Sequence, residues 1–178
     1  MTKIDTCALP VLETQRLTLR ELRLSDTGLV SLYSSDPRVA RMTTRIPCPN
    51  PPEITRAFIE SVLAAENGDF VWAIDATKGY GAEVIGIIAL HEGGEVGYWL
   101  GPFFWGLGLA TEALSAVLAF AEARGDRRFH ANVFQENPAS RRVLEKQGFR
   151  LTGTGESHSL SRDAVVATWQ FVREVDDG

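Results

Sequence analysis

Cysteine is nearly absent from this chain of 178 residues. Its two cysteines, Cys7 and Cys48, fall in irregular segments and form no Cys-x-x-Cys pair, so we expect reduced thiols and no metal site. Neither has an evident neighbouring base, which argues against an acyl-cysteine intermediate. Long apolar runs are also missing, both near the N-terminus, where a signal core would lie, and elsewhere. These absences predict a cytoplasmic protein that has no membrane partner.

Positive charge is scarce relative to negative charge, and the formal net charge is −5. This balance argues against a nucleic-acid partner, because nucleic-acid-binding domains present clustered lysine and arginine. The composition, with 44% hydrophobic and 23% charged residues, is typical of a globular protein and unlike that of a disordered one. The length indicates a single domain, which we place at residues 11–175, after a flexible tail at residues 1–10.

Hydrophobic periodicity predicts strands that alternate with helices. Alternating or β-forming residues bounded by turn residues predict strands at 16–22, 70–74, 84–90, 95–100, 128–134, 149–154 and 165–172. Apolar residues at helical spacing predict helices around 29–33 and at 54–63, 109–123 and 138–147, and the proline-rich segment 46–52 is a loop. This order of elements predicts an α/β fold, a mixed sheet with helices on its faces.

Two glycines precede the strongest of the predicted helices. Gly106 and Gly108 carry no side chains, so the backbone N–H groups of this turn can approach an anion, and the following helix directs its positive end at the turn. The turn therefore fits a pyrophosphate, although the same glycines could form a plain tight connection. Thr111 stands where a dinucleotide-binding motif needs a third glycine, and no Gly-Lys-Ser/Thr sequence occurs. We interpret Glu112 as structural and facing away, because a carboxylate would repel phosphate.

A second predicted helix carries a hydroxyl group in its first turn. Asn137 is a favourable N-cap, Pro138 suits the first helical position, and Ser140 follows them. Gly148 predicts the end of this helix. Ser140 could simply assist the cap, or its hydroxyl could project into a cleft and take part in chemistry.

The order and spacing of several segments resemble the GCN5-related N-acetyltransferase (GNAT) superfamily, and within it the branch that acetylates ribosomal proteins (RimJ/RimL type). The segments are Leu12-Glu13-Thr14-Gln15-Arg16-Leu17-Thr18-Leu19-Arg20, Gly97-Tyr98-Trp99-Leu100, Trp105-Gly106-Leu107-Gly108-Leu109-Ala110-Thr111-Glu112-Ala113, Asn137-Pro138-Ala139-Ser140 and Leu144-Glu145-Lys146-Gln147-Gly148-Phe149. The resemblance covers nearly the whole length of the chain. The resemblance implies a single domain with a mixed, mostly antiparallel central sheet flanked by helices. It also implies splayed central strands, in which the strand at 97–100 diverges from the strand that ends at Phe134.

The same resemblance implies acetyl-CoA (coenzyme A) as the cofactor. The cofactor-binding residues that it implies are Tyr98, Trp99, Leu100, Trp105, Gly106, Leu107, Gly108, Leu109, Ala110, Thr111, Asn137 and Ser140. Members of the superfamily frequently have a basic residue at the position of Leu107, and its absence here predicts modest cofactor affinity.

The reaction that the resemblance implies is direct attack of an unprotonated amine on the thioester. An α-amine, with a pKa near ~8, is more easily free at neutral pH than a lysine, with a pKa near ~10.4. Ser140 is the expected hydrogen-bond donor to the leaving thiolate, and Glu95 is the first candidate base, ahead of Glu92 and His91. We expect a peptide or protein N-terminus as acceptor. A small-molecule amine and a non-catalytic acyl-CoA-binding role are the alternatives, and a homodimer is left open.

Overall fold

The computed structural model describes residues 9–175. Most of the predicted N-terminal tail, including Cys7, lies outside the described residues. The first half of the chain forms a five-stranded antiparallel sheet whose strands follow one another in chain order. Its strands are β1 (Leu12–Glu13), β2 (Thr18–Arg20), β3 (Phe70–Ala76), β4 (Ala82–Leu90) and β5 (Val96–Leu100). The long apolar run of β4 is buried throughout its second half, and this strand pairs with β3 on one side and β5 on the other.

The second half of the chain forms a three-stranded antiparallel sheet in the order β6-β8-β7. Its strands are β6 (Arg128–Phe134), β7 (Arg150–Ser159) and β8 (Ala164–Glu174). Along β8, Val166 and Thr168 are buried while Val165 and Ala167 are exposed, as expected for a strand with one face on the core.

The two sheets meet at a single parallel bridge, between Glu95 and His130. The amide of His130 donates to the carbonyl of Gly94 at 3.0 Å. A Cβ at Gly94 would lie only 2.3 Å from the carbonyl oxygen of Arg128, so only glycine permits this close approach. Beyond the bridge no further residues of β5 and β6 pair within the described chain, so the strands diverge and leave a wedge. The predicted splayed central strands are confirmed.

Helices cover both faces of the five-stranded sheet. They are α1 (Thr27–Ser34), α2 (Pro37–Ala40), α3 (Pro52–Leu63), α4 (Thr77–Tyr80), α5 (Leu109–Ala123) and α6 (Pro138–Lys146), with 3-10 turns at Leu24–Asp26 and Pro102–Phe104. The larger core lies under α5 and α6 and joins both sheets. A smaller core lies under α1 and α3, on the opposite face of β3 and β4. None of the helices in residues 9–175 is long and apolar enough to cross a membrane.

The predicted elements differ from the structure mainly at their ends. The helix predicted at 109–123 and the strand predicted at 128–134 are confirmed to the residue. The strand predicted at 149–154 continues to Ser159, because β8 pairs with its polar half as well. The strand predicted at 16–22 is shorter, since β3 pairs only with Thr18–Arg20. No periodicity predicts the one-turn helices α2 and α4.

Candidate active site

A cavity of about 720 Å³ opens where β5 and β6 diverge. Three segments line it: residues 37–43 from α2 onward, residues 98–111 from β5 to the start of α5, and residues 136–146 from the end of β6 through α6. We call residues 105–111 the turn wall and residues 37–43 the α2 wall. The α6 segment lies with both walls around the same space.

The turn wall presents bare backbone to the cavity. Gly106 and Gly108 have φ values of +74° and +76°, which ordinary side chains rarely adopt, and a Cβ on Gly106 would meet open space. Among the described residues, the consecutive backbone amides from Gly106 to Thr111 have no hydrogen-bond acceptor. They lie at the N-terminus of α5, where the helix dipole adds partial positive charge. This arrangement is suited to a phosphate group.

A polar brace behind the turn wall holds its shape. One oxygen of Glu112 accepts hydrogen bonds from the Thr14 hydroxyl at 2.7 Å and the Arg16 amide at 2.8 Å, and the other accepts from Arg16 Nε at 2.7 Å. Arg16 also donates to the carbonyl of Leu107 at 2.9 Å, within the turn itself. The interpretation of Glu112 as a structural residue is confirmed, because its carboxylate is occupied by these partners.

The brace also sets the ionisation of Glu112. Burial by itself would raise the pKa of this carboxyl, but the hydrogen bonds from Thr14 and Arg16 outweigh burial and hold the pKa below its usual range. Glu112 therefore stays ionised at any pH near neutrality, and the ion pair with Arg16 persists there.

The first turn of α6 supplies a hydroxyl group to the cavity. Asn137 caps the helix by accepting the Ser140 amide on Oδ1 at 3.1 Å, and Ser140 lines the cavity. The Tyr98 hydroxyl donates to the Ser140 carbonyl at 3.2 Å, so β5 and α6 are tied across the wedge. Burial raises the pKa of Tyr98, which keeps it a donor. No described residue forms a hydrogen bond with the hydroxyl of Ser140, which leaves it available to a bound molecule.

The structure brings most of the predicted site residues together. The cavity is lined by Tyr98, Trp99, Leu100, Trp105, Gly106, Gly108, Leu109, Ala110, Thr111, Asn137 and Ser140. Leu107 is not among the lining residues, and its side chain is exposed.

The predicted bases lie outside the lining of the cavity. Glu95 is half-buried at the bridge that joins the two sheets. His91 pairs with Asp69, its Nδ1 lying 3.0 Å from an Asp69 oxygen, in the turn that precedes β5. The exposed Glu92 lies in the same turn. None of these three side chains lines the cavity, so a base among them would have to act through an intervening group.

Sequence reasoning missed the positive charge of the cavity. Arg38, Arg41, Arg142 and Lys146 all line it, and the Arg38 guanidinium lies 5.9 Å from the Trp105 ring centroid, so it connects the two walls. Within the described chain, Arg142 and Lys146 have no acidic partner. The spacing of Arg142 and Lys146, one helical turn apart, was the signal that could have identified them.

The sequence of this chain is similar to those of known acetyltransferases. The acetyltransferase (GNAT) domain family matches residues 16–150 of the chain. The uncharacterized N-acetyltransferase YoaA of Bacillus subtilis is 32% identical over 158 residues, which span 81% of this chain and 85% of that protein. The ribosomal-protein-serine acetyltransferase of Escherichia coli is 31% identical over 101 residues, which span 53% of this chain and 56% of that protein.

The fold is shared with solved structures. RimL, a ribosomal L7/L12 alpha-N-protein acetyltransferase in complex with coenzyme A, superposes with a TM-score of 0.78 at 20% identity, covering 94% of this chain and 99% of RimL. At this identity the likeness establishes the common architecture, an antiparallel sheet flanked by helices.

Proposed function

We propose, from the premise that the chain belongs to the acetyltransferase (GNAT) family, that its acceptor is the α-amine at the N-terminus of a peptide or protein. Enzymes of this family are N-acetyltransferases that use acetyl-CoA, which supplies an acetyl group activated as a thioester. The donor and the reaction class are therefore fixed by the family, and the acceptor is the proposal.

The residues around the cavity fit the donor. The unpaired amides of Gly106 to Thr111 suit its diphosphate, and Arg142 and Lys146 suit its remaining phosphate charge. We assign binding of the pantetheine arm to Asn137 and to the part of β5 that lines the cavity, Tyr98 to Leu100. Trp105 and Leu107 complete the turn around the diphosphate.

The observation that carries the acceptor proposal is the lack of a free carboxylate among the described residues that line the cavity. Of these residues Glu136 alone is acidic, and the Arg162 guanidinium binds Glu136 Oε2 at 3.0 Å. A lysine acceptor, with a pKa near ~10.4, would need a strong base, whereas an α-amine near ~8 is partly free at neutral pH. The cations of the cavity also disfavour a polyamine.

The named relatives support the same acceptor class. The Escherichia coli relative is named for acetylating a serine of a ribosomal protein, and RimL is named as an alpha-N-protein acetyltransferase. The sequence match to the Escherichia coli protein spans about half of each chain, so it supports the class of acceptor and not a particular protein.

We assign two residues to the chemistry. The Ser140 hydroxyl donates a hydrogen bond to the sulfur as the thiolate leaves, because it lines the cavity and has no partner among the described residues. Glu95 accepts the proton of the attacking amine through a water molecule, since its side chain does not line the cavity. A cytoplasmic location and a homodimer stay predictions.

An acceptor screen tests the proposal. A hexapeptide with a free N-terminal serine is compared with the same peptide blocked by N-acetylation and containing one lysine, and with spermidine. Release of free coenzyme A from acetyl-CoA is measured at pH 7.5. We expect turnover with the free peptide and at most about a tenth of that rate with the other two, because their amines are largely protonated.

Two results would contradict the proposal. Faster turnover with spermidine or other small amines would identify a small-molecule acetyltransferase. Tight acetyl-CoA binding without turnover across the panel would identify a non-catalytic acyl-CoA-binding domain.

A further inference from the structure

We propose that Arg162, at the tip of the β7–β8 hairpin, is a positioning residue that holds the α2 wall in the shape that receives the acceptor. No residue of the α2 wall is assigned to the donor, so this wall is the side of the cavity left for the acceptor, a step that rests on the function proposed above. Arg162 does not line the cavity, so it acts only through the residues that it holds.

The guanidinium of Arg162 joins two sides of the cavity. Its Nε and one terminal nitrogen both donate to the carbonyl of Arg41, at 3.0 and 2.7 Å. The other terminal nitrogen donates to Glu136 Oε2 at 3.0 Å. Both Arg41 and Glu136 line the cavity, one from the α2 wall and one from the segment before α6. One side chain therefore fixes the distance between these two segments.

The neighbours of Arg162 make this arrangement rigid. Only 13% of its side chain is exposed, and its guanidinium lies 5.5 Å from the centroid of the Phe134 ring. Low exposure strengthens charged hydrogen bonds, because water competes less for the donors. The planar guanidinium can satisfy a carbonyl and a carboxylate at once, which a lysine ammonium cannot do in the same geometry.

The rest of the hairpin tip holds the same segment. The Ser159 hydroxyl donates to the Thr43 carbonyl at 3.4 Å, and the Leu160 amide donates to the Thr44 carbonyl at 3.0 Å. The carbonyls of residues 41, 43 and 44 thus all accept from the hairpin tip. In contrast, the amides of Met42 and Thr43 bond back into α2, to Val39 and Ala40. Within the α2 wall, the carbonyls of Arg41 and Thr43 therefore depend on the hairpin for these hydrogen bonds.

Loss of the Arg162 side chain would have two consequences. The segment after α2 would lose its strongest external hydrogen bonds and open more often. Glu136, which is next to the cap residue Asn137, would lose its counter-charge. Both changes lie away from the turn wall and leave its amides untouched.

The test compares Arg162→Gln and Arg162→Lys with the matched control Arg173→Gln. Arg173 is on the same hairpin and is also partly buried, pairing with Glu122 at 2.6 Å and lying 5.8 Å from the Phe129 ring centroid. Its partner Glu122 does not line the cavity, whereas both partners of Arg162 do. Amide hydrogen exchange of residues 41–46 is measured together with acetyl-CoA affinity and with turnover of the serine hexapeptide.

We expect exchange at residues 41–46 to rise about fivefold or more in Arg162→Gln, because hydrogen bonds to the segment are lost. The peptide KM should rise about tenfold with kcat little changed, and acetyl-CoA affinity should stay within about twofold of wild type. Arg162→Lys should recover part of both effects, and Arg173→Gln should show neither.

Unchanged exchange in Arg162→Gln, or a fall in acetyl-CoA affinity equal to the rise in the peptide KM, would overturn the proposal. If the wild-type enzyme ignores the peptide, the acceptor proposed above fails. The exchange experiment still decides the role of Arg162, because it needs no acceptor.

Discussion

The turn wall and the α2 wall line one cavity, but different interactions set their shapes. The turn wall is built from consecutive residues in which two glycines adopt positive φ, and it continues into α5, whose buried face anchors it to the main core. The α2 wall is a one-turn helix and an irregular segment, and its carbonyls are held by a hairpin far away in the sequence.

This difference indicates which wall of the site can be remodelled by substitutions elsewhere in the chain. The turn wall takes its shape from local backbone conformation, and the Arg16–Glu112 brace adds to it. The α2 wall takes its shape from tertiary hydrogen bonds, so substitutions in another element can remodel it. A turn fixed by its own backbone suits the donor that the family shares, and a wall held by distant contacts suits the acceptor proposed above.

The largest expected effect is that of a substitution at Gly108, which should alter the turn wall and leave the α2 wall unchanged. A β-branched side chain at φ +76° is strained, and a Cβ there would lie 3.6 Å from Arg16 Nη2, so Gly108→Val should distort the turn and crowd the brace that holds it. Acetyl-CoA affinity, measured by calorimetry, should fall about 100-fold, while hydrogen exchange at residues 41–46 stays as in wild type.

Gly125→Val is the matched control, because Gly125 also has a positive φ, +100°, but follows the other end of α5. It should cost stability and leave acetyl-CoA affinity within about threefold of wild type. Normal affinity in Gly108→Val would mean that the turn wall does not hold the donor.

A smaller effect is expected at Ser140, which belongs to neither wall. Ser140→Ala removes the proposed donor to the leaving thiolate but keeps the cap, since Asn137 accepts the backbone amide of residue 140. Turnover should fall about 10- to 100-fold and acetyl-CoA affinity should change by less than about threefold. Ser115→Ala, on the exposed face of α5, is the control. Unchanged turnover would remove Ser140 from the chemistry.

The contrast between the walls also explains what the sequence could predict. The helix α5, the strand β6, the glycine turn and the Asn137 cap were predictable, because their signals are periodic or local. The polar half of β7 was not, because its pairing with β8 and not its own composition makes it a strand. Tertiary context of this kind overrides propensity.

Two of the four missed cations, Arg38 and Arg41, belong to the α2 wall. Arg41 and Thr43 enter the cavity because Arg162 and Ser159 hold the carbonyls of their segment, and no pattern within residues 37–43 indicates this. Glu95 was predicted from its place at the start of a central strand, and its role as a base stays a prediction.

The smallest expected effect is a pH dependence confined to the turn wall. Because the pKa of Glu112 in the folded protein is below its usual range, its ionised form stabilises the fold fully above the unfolded pKa of about 4.3, and this contribution is lost as the pH falls below that value. Glu112→Gln should therefore lower the free energy of unfolding by about 1–2 kcal/mol at pH 7. Urea unfolding should show this deficit unchanged down to about pH 5 and shrinking below about pH 4.

The control for this pH series is Glu66→Gln, an exposed loop residue, which should show no deficit at any pH. A Glu112→Gln deficit that grows on acidification would mean that the carboxyl is stabilised in its protonated form, which contradicts the brace.

The ionised brace also gives an expectation for acetyl-CoA affinity near neutrality. Between pH 6 and pH 8 the protonation of Glu112 does not change, so any change in acetyl-CoA affinity over that range must come from other groups. A titration of affinity in this range, compared between wild type and Glu112→Gln, should give two parallel curves.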